Sequence, residues 1–133
     1  MDYSKTKEAL EKAEAKAKEL GQNVSIAIVD DYGDLVAFSR MEGAIKISPR
    51  FAITKAFTAG TLGMATADLG PYALEGKPYY GINTILSGEL TTIAGGIPIK
   101  KGDKLVGGVG VGGSYDVKQD AEIAKIAVEI LEK

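Results

Sequence analysis

The chain has 133 residues, a formal net charge of −2, no cysteine and no histidine. That length predicts one domain, residues 1–133, able to bury a core without disulfide or metal staples. The near-neutral charge predicts no binding to nucleic acid or acidic membranes. The missing residue types exclude disulfides, thiolate metal sites, a thiol nucleophile and the Ser-His-Asp triad.

With histidine absent, the commonest general base and metal ligand are gone, and no metal site and no catalytic residue is assigned. Met1 to Leu10 is polar, with no apolar region of the secretory kind, and no run approaches membrane-spanning length. The expected location is therefore cytoplasmic.

The first element reads as a helix with Tyr3, Leu10, Ala13, Ala17 and Leu20 on one face. Asp2 or Ser4 can cap its start, and Gly21 suits the position just past its end. Val24 to Asp30 reads as a central strand, followed by a turn at Asp31-Tyr32-Gly33-Asp34 and an antiparallel return from Leu35 to Arg40. The adjacent acids Asp30 and Asp31 belong to that turn, where carboxylates bond nearby backbone donors.

Ser48-Pro49 opens a second helix, with serine as cap and proline at the first helical position. Its face Phe51, Ala52, Lys55, Ala56, Ala59 is mostly small, so it can pack closely. Lys55 sits among those positions. It either snorkels outward along its stem or meets a buried acid or an anionic ligand.

Gly60 to Pro78 reads as a covering loop. Thr66 to Leu69 starts a short helix limited by Gly70-Pro71, and Tyr72, Tyr79 and Tyr80 cluster in sequence. Ile82 to Leu86 is ambiguous between strand and short helix.

Leu90 to Gly113 is the glycine-rich β region. It reads as strand, a Gly95-Gly96-Ile97-Pro98 corner, a short extended piece, a Lys100-Lys101-Gly102-Asp103 turn, and a strand. Gly108, Gly110 and Gly112 leave one face of that last strand bare, open to close approach by a helix, a second chain or a flat ligand. Gly108, Gly110 and Gly113 also match G-x-G-x-x-G. The following helix leaves no room for the second parallel strand that dinucleotide binding needs, so packing is the better account. The last helix runs from about Asp116 to Leu131, with a stripe of Ile123, Ile126, Ala127, Ile130 and Leu131. With no alternating βαβ repeat, the class is α+β with an antiparallel sheet.

These residues carry a family resemblance. The hairpin with Asp30-Asp31-Tyr32-Gly33-Asp34-Leu35 and Arg40-Met41-Glu42-Gly43-Ala44 forms its first part. Ser48, Ala52, Lys55-Ala56, Thr58-Ala59, Gly95-Gly96-Ile97-Pro98-Ile99, Val106 to Val111 and Gln119-Asp120 complete it in order. The set resembles the haem-degrading, GlcG-like family, which includes the HbpS proteins and the PduO C-terminal domain. The resemblance implies a profilin-like fold, with a five-stranded antiparallel sheet and helices on both faces. It also implies homo-oligomers, haem as the candidate cofactor, and no settled reaction. Without histidine, the iron-ligand candidates are Tyr32, Tyr72, Tyr79, Tyr80, Tyr115, Met41, Met64 or a lysine.

Three functional readings follow. In the first, Gly95, Gly96 and Pro98 form a corner presenting backbone N–H groups. Arg40 and Lys55 add positive charge, and together they hold a small carboxylate-bearing anion, a haem propionate or an organic acid. The alternative for those two cations is pairing with internal acids such as Asp30 or Glu42. In the second, Lys55 serves an enzyme as base or Schiff-base former. In the third, the glycine face serves subunit contacts.

Overall fold

Residues 1–133 are described by a computed structural model. The helices are α1 (Thr6–Glu19), α2 (Ser48–Leu62), α3 (Thr66–Leu69) and α4 (Val117–Leu131). The strands are β1 (Ser25–Asp30), β2 (Leu35–Arg40), β3 (Gly96–Lys101) and β4 (Lys104–Gly112). The strands form one sheet in the order β2-β1-β4-β3, antiparallel throughout.

The sheet has four strands where five were expected. The segment before the Gly-Gly corner is the one that fails to pair. Thr91 donates its N–H to the Thr58 hydroxyl at 3.1 Å, and Ile93 donates to the Thr91 hydroxyl at 3.2 Å. Threonine side chains thus take donors that a strand would give to a ladder. The ambiguous Ile82–Leu86 stretch resolves into short 3-10 turns at Ile82–Thr84 and Leu86–Gly88.

Side-chain alternation assigns the two faces of the sheet. Ile26 and Ile28 of β1 and Val109 and Val111 of β4 point toward α1 and α4. They join Ala9, Ala13, Ala17, Ile123, Ala127 and Leu131 in one core. Fully burying an isoleucine such as Ile26 or Ile123 contributes about 1.5–3 kcal/mol. The buried face of α1 is made of alanines. Leu10 and Leu20 pack against the same core partly buried, while Tyr3, in the 3-10 turn Tyr3–Lys5 before the helix, is exposed. At the N-terminus the Ser4 hydroxyl and N–H both donate to Asp2, and these bonds hold its carboxyl below the usual aspartate range. Asp116 caps α4, accepting the Lys118 N–H at 2.9 Å.

The other face of the sheet belongs to α2. Ala27 and Val29 of β1 pack on Ala52 and Ala56. Ser48, Ala52, Ala56 and Gly60 are each four residues apart and form one narrow ridge along the helix. That ridge lies on the bare strip of β4: Gly112 faces Ser48 and Ala52, Gly110 faces Ala52 and Ala56, and Gly108 faces Ala56 and Gly60. The glycine face is therefore filled from within the same chain. Ser48 is the first helical residue rather than the cap. Its hydroxyl meets that of Ser25 at 2.9 Å and ties the helix start to β1.

The β3 edge has no free donor facing outward. The Val111 N–H bonds Gly95 O at 2.9 Å, which puts residues 95, 97 and 99 in the ladder with β4 and turns the backbone of 96, 98 and 100 away. Gly96 N–H goes to the Thr66 hydroxyl at 3.0 Å and Lys100 N–H to Glu132 Oε2 at 2.9 Å. Pro98, between them, has no N–H.

The close helix–strand contact makes a direct prediction. A methyl group at Gly110 would collide with the Ala52 carbonyl and the Ala56 backbone, which cannot rotate away. Gly110→Ala is expected to lower stability by about 1–3 kcal/mol or more, read as a lower urea midpoint at unchanged slope. A midpoint equal to wild type would mean that α2 does not sit on this strip.

Candidate functional site: a groove on the outer face of α2

The helix that buries one ridge turns a second stripe the other way. Arg50, Ile53, Thr54 and Phe57 recur at i, i+3, i+4 and i+7, opposite the Ala52–Ala56–Gly60 ridge. This stripe floors two adjoining cavities. One, of about 400 Å³, lies between α2 and the β1–β2 turn and is lined by Gly33, Asp34, Arg50, Ile53, Thr54, Phe57 and Glu89. The other, of about 350 Å³, lies between α2 and the segment 83–93 before β3, where Asn83, Gly88, Thr91 and Ile93 join Arg50, Phe51, Thr54 and Lys55. Arg50 and Thr54 belong to both. The volumes are at the small end of ligand-binding clefts.

Arg50 is exposed and has no partner. The chain's two ion pairs are Lys16–Glu19 and Lys55–Asp120. A guanidinium that no internal acid pairs with, beside the apolar Ile53 and Phe57, is a ready receptor for a carboxylate.

Lys55 is different. Its side chain is buried, and its Nζ donates to Asp120 Oδ2 at 3.0 Å and to the Val111 carbonyl at 2.9 Å. Asp120 Oδ1 accepts the Ser114 N–H at 3.0 Å. The ammonium also lies 5.9 Å from the centre of the Phe51 ring, within cation–π range. Gly95 and Gly96 roof this arrangement. A Cβ at Gly95 would stand 2.9 Å from Lys55 Nζ, and one at Gly96 would strike the Lys55 carbonyl.

The anticipated site residues thus fall in two places. Lys55, Gly95 and Gly96 come together, and Pro98 follows on the β3 edge. Arg40 lines a separate surface cavity with Met41, Glu42 and Lys46. No cavity holds both Arg40 and Lys55. The acids proposed as internal partners are otherwise engaged or exposed. Asp30 accepts the N–H groups of Tyr32 and Asp34 at 2.9 and 3.0 Å, and Glu42 faces solvent.

Two residues escaped the sequence reading, and both had a signal. Asp120 is three residues before Ile123 on the stripe that continues through Ala124, Ala127 and Leu131, so it occupies a core-facing position. An acid and a lysine, each on a buried stripe, are candidate partners, since a buried charge needs one. Arg50 is marked by the second stripe on α2, which the small-residue face concealed.

Among the possible iron donors, the five tyrosines from Tyr32 onward are exposed, Met41 is buried in the main core, and Met64 packs on Leu69, Ile82 and Leu90. Tyr79 and Tyr80 stand apart. They line an apolar cavity of about 390 Å³ with Leu62, Ile82, Ile85 and Leu90. That cavity shares Leu90 with the second half of the groove.

The fold and site define an α+β protein whose four-stranded antiparallel sheet lies between helical layers and carries a ligand-sized groove on one helix. No helix is long and apolar enough to cross a membrane. The chain belongs to the haem-degrading protein HbpS-like family, whose sequence model matches residues 1–129. It is 34% identical over 113 residues to the corrinoid adenosyltransferase PduO of Salmonella typhimurium, a match covering 85% of this chain but 33% of PduO. The chain therefore spans about a third of that relative. A crystal structure of a PduOC–haem complex superposes with a TM-score of 0.92 at 30% identity, covering 98% of this chain and 94% of that one. A crystal structure of HbpS gives 0.89 at 27% identity, covering 98% and 89%.

The buried pair can be tested without any ligand. Lys55→Met strands the Asp120 carboxylate in the interior and is expected to cost about 3–5 kcal/mol. Replacing both residues, Lys55→Met with Asp120→Leu, should recover a large part of that loss. Urea unfolding of Lys55→Met, Asp120→Leu and the double variant measures both effects. A double-variant loss equal to the sum of the two single losses would show that the residues act independently.

Proposed function

We propose that this protein binds a small carboxylate-bearing molecule in the groove along α2, with Arg50 as the anion anchor. The observation that carries this reading is the unpaired Arg50 guanidinium shared by two adjoining cavities. Thr54, Asn83 and Thr91 supply neutral polar groups beside it, and Phe51, Ile53, Phe57 and Ile93 supply apolar contact. Lys55 floors the groove from within. Its ammonium is committed to Asp120, which argues against its use as a base or Schiff-base former. The Gly95-Gly96-Pro98 corner and Lys55 then support the ligand site from beneath, and Arg40 lies outside it.

Haem is the form of ligand that the relatives favour, since the PduOC structure is of a haem complex. The donor set here admits it in one way. Tyr79 or Tyr80, whose phenols have no hydrogen-bond partner and face an apolar cavity, would hold the iron, and tyrosine is an established axial ligand. When bound, haem would supply a redox-capable iron centre, while Arg50 would orient a propionate. We further infer that residues 1–133 work as one cytoplasmic unit that self-associates. Exposed Ile45 and Ile47, just before α2, support an assembly surface.

Titration of the protein with haemin, followed by absorption spectroscopy, tests the reading. A saturable Soret shift is expected at equimolar haem. Arg50→Gln should weaken it by about tenfold or more, the loss of one charge-assisted hydrogen bond. Tyr79→Phe or Tyr80→Phe should alter the spectrum itself. Binding indifferent to Arg50 would remove the anchor from the reading. Absence of a saturable shift would remove haem.

A further inference from the structure

The half of the groove nearest the β1–β2 turn is not simply cationic. Asp34 and Glu89 line the same cavity of about 400 Å³ as Arg50. Neither carboxylate accepts a hydrogen bond from a side chain or backbone donor, and neither pairs with Arg50. Three unneutralised charges, two of one sign and one of the other, therefore face one small space without collapsing onto each other. Left to a shared solvent cleft, opposite charges on long side chains gain little by closing. A molecule that carries both signs can bridge them while its apolar body rests on Ile53 and Phe57.

The backbone next to Glu89 adds an independent observation. Leu86 and Ser87 both hold positive φ, +50° and +56°, and Gly88 follows at +77°. Non-glycine residues occupy this region only at a cost in free energy. Nothing obvious offsets that cost through packing, since the Ile85 and Leu86 side chains are exposed. The strained turn is closed by the Glu89 N–H to Leu86 O bond at 3.2 Å, and it delivers Gly88 to one cavity and Glu89 to the other. Such outliers gather at ligand clamps, where the strain sets a geometry that the ligand uses.

We propose that the groove selects a small zwitterion, an aminocarboxylic acid with a short apolar spacer, over plain carboxylates. Its carboxylate meets Arg50 and Thr54, and its ammonium meets Asp34 and Glu89. This rests on the carboxylate-binding reading above and adds the second charge to it. It also makes Glu89 and Asp34 the specificity-determining residues, since they repel a second carboxylate placed at that end. No covalent step is involved.

The test is an NMR titration of the ¹⁵N-labelled protein with 6-aminohexanoate, 4-aminobutyrate, hexanoate and butyrate, following the amides of Gly33 and Gly88 and the Arg50 Nε–H. At least one amino acid is expected to bind about tenfold tighter than its unaminated counterpart, the worth of one charge-assisted contact. In the double variant Asp34→Asn, Glu89→Gln that preference should disappear while the plain acid binds as well or better. In Arg50→Gln both should weaken. All three side chains are exposed, so the variants are expected to fold. If amino and plain acids bind equally, with both dependent on Arg50, the zwitterion proposal is overturned and the carboxylate reading stands. If nothing binds, the zwitterion proposal is overturned and the haemin titration decides the carboxylate reading; if Arg50→Gln changes nothing, both are overturned.

Discussion

The structure depends on a contact made almost without side chains. Along Ser48, Ala52, Ala56 and Gly60, α2 rests its backbone against Gly112, Gly110 and Gly108 of β4. A contact this close permits one rotation of the helix about its axis, because any other would drive a larger residue into the sheet. That rotation places Lys55 beneath Gly95 and turns Arg50, Ile53, Thr54 and Phe57 to the outside. The core and the groove are two results of the same fit.

The Lys55–Asp120 pair extends that logic across the sheet. α2 and α4 lie on opposite faces, and the pair joins them at the end of β4 through the Val111 carbonyl. Interior ion pairs gain little over apolar packing, since each charge gives up its water. What they fix well is position. Asp120 uses its second oxygen on the Ser114 N–H, so the same carboxylate also sets how the chain enters α4. An Asp-Lys bond thereby specifies the relative placement of two helices that do not touch through apolar side chains alone.

Most of the fold was legible because its signals are local. The β1–β2 hairpin, the Gly102 turn and the final helix are each written in a few adjacent residues, and the bare face of β4 announced a close neighbour. The fifth strand was not excluded by any local signal in Leu90–Ala94. It fails because Thr58, more than thirty residues away in sequence, supplies a hydroxyl where a ladder partner was expected. The site was less legible for a similar reason. Lys55 stood out as a charge on a small-residue face, but its partner was 65 positions away. Arg50 carried no local mark of a groove, because the β1–β2 turn and the 83–93 segment that wall it are remote from it in sequence.

The finished state of the β3 edge has a consequence for how copies of this chain can meet. Its outward donors are spent on Thr66 and Glu132 or missing at Pro98, so no further strand can add there. On β2, Phe38 and Arg40 have no such cover. Growth of the sheet from one molecule to the next is thus possible on one side only. Two molecules that join through β2 use up the open side of each, and the joined sheet ends in sealed margins at both extremes. Strand pairing between copies through β2 would end in a closed pair and not in a fibre.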